Sequence, residues 1–127
     1  MDWIYFVAGL AVLEYLVFGG LTGRARARYD VSAPATTGHP VFERYFRVQQ
    51  NTGEQLLVFL PSLWLFGHFV NPLVGAGLGV VFLVGRVIYL RGYVSDPEKR
   101  GPGFLIGFLA STLLALGGVI GAGRALF

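Results

Sequence analysis

No cysteine occurs among the 127 residues, so disulfides and thiolate metal sites are excluded. Charge is scarce as well. Asp, Glu, Lys and Arg make up 13% of the chain, about half the share usual in soluble domains. Hydrophobic residues fill 54%, the balance of a membrane protein. The net charge is only +3, and the arginines flank apolar runs instead of forming a free basic domain, which argues against nucleic-acid binding. No Lys or Arg precedes Arg24. A secretory signal needs a positive leading region, so MDWIYFVAGL is not read as one. Serine-histidine-aspartate sets, metal-ligand clusters and phosphate loops are missing too. The two histidines, His39 and His68, stand apart; they read as a loop residue and an interfacial residue.

What remains is one domain, residues 1–127, with four apolar spans. The first is Trp3 to Leu21, about the 20 residues a bilayer requires. Glu14 interrupts it and is expected to face other helices or to be protonated. Thr22 to Pro40, with GRARAR and then VSAPATTGHP, is expected to be a loop. The second span is Val41 to Val70, with Pro61 inside it as a plausible kink. Spans three and four are Leu73 to Val94 and Phe104 to Leu126, joined by the polar loop Ser95 to Gly103. Gly19 and Gly23, Gly75 and Gly79, and Gly117 and Gly121 are small-xxx-small pairs, the mark of close helix packing. The fold class is therefore all-α, an integral membrane four-helix bundle.

Of the ten Lys and Arg residues, eight lie near the first and third connections, and the middle connection has none. With four spans those two connections share a side. The positive-inside rule puts that side in the cytoplasm and both termini outside.

The stretch on which this arrangement centres is ERYFRVQQNTGE, residues 43 to 54, where four charged groups lead into an apolar run. On a helix Arg47, Asn51 and Glu54 lie at i, i+4 and i+7, one face, with Glu43 one turn before. Arg86, Tyr89 and Tyr93 make a second polar face at i, i+3 and i+7. A buried arginine needs a carboxylate, so Arg86 is expected to form a structural ion pair with Glu54 or Glu43. Both faces sit near the cytoplasmic ends of their helices and can meet. Their mixture of guanidinium, carboxylate, amide and phenol suits a small zwitterion with carboxylates and an ammonium. The lipid side would admit an apolar co-substrate.

Two segments, FERYFRVQQNTGEQ (Phe42 to Gln55) and GRVIYLRGYVSDPEKR (Gly85 to Arg100), resemble the MAPEG family, membrane-associated proteins of eicosanoid and glutathione metabolism. The resemblance runs from the PATTG loop at Pro34 through Arg100 and is nearest to the microsomal glutathione transferases. It implies a homotrimer of four-helix subunits with glutathione as co-substrate, bound between subunits near the cytoplasmic face. It also implies that Arg47, Asn51, Glu54, Tyr89 and Tyr93 bind glutathione, with Gln49 and Arg26 as further candidates for the same site. Arg100 matches the family arginine that stabilises the glutathione thiolate. The expected reaction is glutathione transfer to a hydrophobic electrophile, or reduction of a lipid hydroperoxide, with no metal.

One departure from the family stands out. The leukotriene-synthase branch carries a second catalytic arginine where this chain has Ala27, which argues against leukotriene synthesis. Three other readings compete: a non-catalytic lipid-binding or scaffold protein of the same fold, an isomerase that uses glutathione without consuming it, and a small transporter. A scaffold has no need of a thiolate partner such as Arg100. Short loops and the lack of a retention signal favour a bacterial inner membrane.

Overall fold

Prolines punctuate the chain. Pro40, Pro72 and Pro102 fall in the first turns of three helices and Pro97 in that of a 3-10 turn, where a missing N–H costs nothing. The structure, a computed structural model describing all 127 residues, has four helices: α1 (Asp2–Tyr29), α2 (Pro40–Phe69), α3 (Pro72–Ser95) and α4 (Gly101–Ala125). The 3-10 turn, Pro97–Arg100, joins α3 to α4. Side chains cap three of these starts. His39 Nδ1 accepts from the Val41 N–H at 3.1 Å, Asn71 Oδ1 from Val74 at 3.0 Å, and Asp96 Oδ1 from Glu98 at 3.1 Å.

The chain runs up and down. Ile4 of α1 meets Gly67 near the end of α2 and Gly75 near the start of α3, while Phe66 meets Gly117 in the last turns of α4. At the opposite end Thr22 of α1 donates to the carbonyl of Tyr45 in α2 at 3.2 Å. There, too, the start of α4 lies on the end of α3. Helices α2 and α3 each touch the other three, and α1 and α4 make little contact with one another.

Two sequence expectations change here. GRARAR is not loop: α1 continues through it to Tyr29 and stops at Asp30, which adopts a left-handed φ of 55°. Nothing between Trp3 and Tyr29 breaks a helix, since Arg and Ala both favour one. At 28 residues and about 1.5 Å per residue, α1 outreaches a hydrocarbon core of roughly 30 Å, and its arginines fall in the excess. The second change concerns the spans. Helices α1, α3 and α4 are long and apolar enough to cross a membrane by length and composition. The longest, α2, is not among them, because its first half carries the polar stretch; its place in the bundle comes from packing. It runs unbroken through Pro61, which is exposed.

The core is thin. Ile4, Val7, Phe59, Leu63, Phe82 and Leu114 form its centre, with Phe59 and Phe82 stacked at 3.9 Å between ring centroids. Large apolar side chains meanwhile point outward: Trp3, Phe6 and Leu16 on α1, Leu57 and Trp64 on α2, Leu109 and Leu116 on α4. A water-soluble monomer does not expose apolar surface on this scale. Hydrocarbon or a neighbouring protein surface is the solvent these faces match.

Candidate functional site

Close approach of α3 and α4 sets the site. A Cβ built at Gly103 would collide with the backbone of Tyr89, and one at Gly85 would stand 2.8 Å from the backbone nitrogen of Gly107. Only glycine allows these helices to come so near. Their contact delivers the end of the 3-10 turn and the first turn of α4 to the polar faces of α2 and α3.

The result is a cleft of about 470 Å³ lined by Arg47 and Asn51 from α2, Tyr89 and Tyr93 from α3, Arg100 from the 3-10 turn, and Gly101 and Phe104 from α4. Five residues singled out from the sequence thus come together. Its aromatic wall is continuous: the Tyr89 ring centroid lies 5.6 Å from that of Tyr93 and 6.2 Å from that of Phe104. Arg100 is exposed and donates through Nη1 to the carbonyl of Pro97 at 2.8 Å, which braces the guanidinium against its own turn. A guanidinium has five N–H donors in a fixed fork, so one such bond leaves most of it for an anion.

Beneath the cleft lies Arg86, only 1% exposed. The expected carboxylate partner is not what holds it. Its Nη2 donates to Asn51 Oδ1 at 2.8 Å and to Thr52 Oγ1 at 2.7 Å, and its Nε donates to Thr52 Oγ1 at 3.2 Å. The guanidinium also stands 4.3 Å from the centroid of the Tyr89 ring. Glu43 is engaged elsewhere, accepting from the Gly38 N–H at 3.1 Å. Glu54 is exposed. The carboxylate close enough to attract Arg86 is Glu14 on α1, which faces into the bundle. One of its oxygens, Oε1, is buried without a hydrogen bond. Spacing within one helix could not reveal this arrangement, because the partners come from three helices. Thr52 carried a weak signal: it is a hydroxyl next to Asn51 in a helix heading into an apolar run.

Three predicted residues stay outside the cleft. Glu54, about a turn beyond Asn51, is exposed and does not line the cleft. Gln49 turns toward α1; a Cβ at Gly19 would stand 3.2 Å from its Nε2. Arg26 holds the following connection, donating from Nη1 to the carbonyls of Ala35 at 2.7 Å and Val31 at 3.5 Å, with its guanidinium 4.6 Å from the Phe42 ring centroid. Gly101 and Phe104 also line the cleft, although neither carries a polar side chain that would single it out. Gly101 follows directly on the Lys99–Arg100 pair, and Phe104 comes about one helical turn later.

The MAPEG family model matches residues 4–120. The chain belongs to the MAPEG family. Among similar proteins, microsomal glutathione S-transferase 2 of Homo sapiens is 38% identical over 115 residues, covering 91% of this chain and 78% of the human one. An uncharacterised protein of Synechocystis sp., sll1147, is 48% identical over 118 residues, covering 93% and 86%. Leukotriene C4 synthase of Bos taurus is 38% identical over 91 residues, covering 72% of this chain and 61% of the bovine one. This MAPEG chain therefore matches relatives named both for glutathione transfer and for leukotriene synthesis.

Proposed function

We propose that this MAPEG protein is a membrane-bound glutathione transferase whose cleft holds glutathione and whose lipid side admits a hydrophobic electrophile. One observation carries the reading: Arg47, Asn51, Tyr89, Tyr93 and Arg100, drawn from two helices and a turn, line a single cleft. Glutathione offers two carboxylates, two amides, an ammonium and a thiol. Arg47 answers a carboxylate with a charge-assisted bond. The tyrosines supply phenol groups and apolar walls, and Arg100 is the cation for the sulfur.

The chemistry asked of Arg100 is modest in energy. A free thiol has a pKa of about 8.5, so a few per cent is thiolate at neutral pH. Lowering it by about two units makes thiolate the major form and corresponds to about 2.7 kcal/mol of differential interaction. In transfer to an aryl halide, the sulfur lone pair forms the C–S bond and the halide leaves with the C–X electrons. In the peroxidase reaction, two glutathiones become a disulfide while a lipid hydroperoxide becomes an alcohol and water. Detoxification of membrane-dissolved electrophiles is the role this chemistry fits.

Glu54, Gln49 and Arg26 lie outside the cleft of one subunit. In a homotrimer a neighbouring copy brings them to the site; Glu54 is the exposed one of the three, beside large outward apolar side chains. By the positive-inside rule the basic connections support a site near the cytoplasmic face with both termini outside, and the short loops favour a bacterial inner membrane. Ala27 argues for general transfer over leukotriene synthesis, despite the likeness to leukotriene C4 synthase.

The test is conjugation of glutathione to a generic aryl halide by the purified protein in detergent, beside Arg100→Ala. Wild-type turnover with a loss of at least about 30-fold in the variant, glutathione binding retained, is expected for a thiolate contribution of this size. A folded wild type that neither conjugates nor binds glutathione overturns the reading in favour of a scaffold or a transporter.

A further inference from the structure

Asn51 lines the cleft, but which end of its side chain faces the ligand is a question of hydrogen-bond polarity. An asparagine carboxamide has one accepting oxygen and one donating NH2 group. Glutathione carries both kinds of partner, an ammonium that only donates and carboxylates that only accept. The orientation of Asn51 therefore decides which part of the ligand it reads.

Arg86 settles that orientation. A guanidinium has donors and no acceptor. Its Nη2 lies 2.8 Å from the Asn51 side chain, so the atom there is the carboxamide oxygen; a flipped amide would set donor against donor. Arg86 has little freedom to move away. It is 1% exposed, gripped twice by Thr52 Oγ1 at 2.7 and 3.2 Å, and faces the Tyr89 ring at 4.3 Å. Thr52 is equally buried, at 1%. A buried arginine with no hydrogen-bonded carboxylate is costly to maintain, so this geometry is a commitment of the fold and not a surface accident.

We infer that Arg86 is a positioning residue that locks Asn51 as a hydrogen-bond donor to the cleft, so that Asn51 reads an accepting oxygen of the bound ligand and not its ammonium. This rests on the glutathione reading above. Arg86 does not touch the ligand; it acts through the Asn51 carboxamide. The Asn51 NH2 and the Arg47 guanidinium, one helical turn apart, then form a purely donating edge. Such an edge selects carboxylate or carbonyl oxygens along α2 and sends the ammonium to another wall.

Glutathione affinity, read by titration calorimetry on the detergent-solubilised protein, tests this by sign. Asn51→Asp keeps the shape and the acceptor for Arg86 but replaces the donor with a carboxylate oxygen. Affinity is expected to fall at least about 10-fold, as far as in Asn51→Ala, with the melting temperature held or raised. Unchanged or tighter binding by Asn51→Asp means that Asn51 accepts from the ammonium, and overturns the inference. A double-mutant cycle supplies the second arm. Arg86→Gln is expected to weaken binding about 5-fold in the wild type and less than about 2-fold in Asn51→Ala, because its effect passes through Asn51. Equal losses in both backgrounds mark Arg86 as merely structural and overturn its role. If Arg86→Gln does not fold, the Asn51→Asp result alone decides. A folded wild type that does not bind glutathione removes the parent reading, and this inference goes with it; a binding wild type with the wrong sign at Asn51 removes only the latter.

Discussion

Where Ile4, Leu63, Phe66 and Gly75 meet, the helices fit by shape. Where Asn51, Thr52, Arg86 and Tyr89 meet, they fit by hydrogen-bond direction. The first region is the apolar half of the bundle. There Phe59 stacks on Phe82, and Gly67, Gly75 and Gly117 leave room for Ile4 and Phe66. Dispersion and burial hold it, and any apolar group of the right volume would serve. In the second region exchange is not free. Arg86 only donates, Asn51 must turn its oxygen inward, and Thr52 must accept twice. The apolar half sets how firmly the helices hold; the polar half sets what the cleft can read. Perturbations of the two halves should therefore separate stability from recognition.

The largest stability effect should come from Phe59→Ala. Phe59 is fully buried, and truncating a buried aromatic costs about 3–5 kcal/mol. Reversible unfolding in mixed detergent micelles would measure it. Glutathione affinity in the folded fraction should stay within about 2-fold, since distant sites act additively. A loss of binding that parallels the loss of stability would break the separation.

Gly103→Val should cross the boundary between the halves. A side chain at Gly103 collides with the backbone of Tyr89, so α4 must shift. Overpacking of this kind costs about 1–3 kcal/mol. Here the same shift carries Gly101, Phe104 and Arg100 away from the tyrosines. Stability and glutathione affinity should fall together, in contrast to Phe59→Ala. Calorimetry beside the unfolding titration distinguishes the two patterns. Retained affinity would show that the α3–α4 seam does not position the cleft.

Arg47→Ala should act on recognition alone. Arg47 is exposed at the cleft, so its removal leaves no cavity. Losing one charge-assisted hydrogen bond corresponds to about 1.5–3 kcal/mol, or roughly 10- to 100-fold in glutathione affinity. The melting temperature should hardly change. Unaltered affinity would exclude Arg47 as a contact to the ligand.

The sequence made the bundle legible through composition and periodicity. Apolar runs of span length, prolines at three of the four helix starts, and the asymmetry of Lys and Arg all point the same way. The polar faces were legible through helical spacing, which puts Arg47 beside Asn51 and Tyr89 beside Tyr93. Spacing failed where partners lie on different helices. Arg86 was expected to seek Glu43 or Glu54, because a carboxylate is the usual answer to a buried guanidinium. It found an amide and a hydroxyl on α2, with Glu14 of α1 as the nearby charge. The reach of α1 was also underestimated, since basic residues between apolar spans resemble a loop although Arg and Ala favour helix.

The smallest effect expected belongs to Glu43, and it bears on that mismatch directly. Glu43 is exposed and accepts one hydrogen bond, from the backbone N–H of Gly38 at 3.1 Å. That bond ties the connection before α2 to the first turn of the helix. Exposed to water, it contributes at most about 1 kcal/mol. Glu43→Ala should lower the melting temperature by a few degrees at most and leave glutathione affinity unchanged. Were Glu43 instead the counter-charge of Arg86, its loss would strand a buried cation, at a cost of about 3–5 kcal/mol, and would disturb Asn51 along with it. Glu14→Ala is the matching control, because Glu14 lies near Arg86 and should cost more than Glu43→Ala. A ranking with Glu43 above Glu14 would reverse the assignment and move the polar half of the bundle onto an ion pair after all.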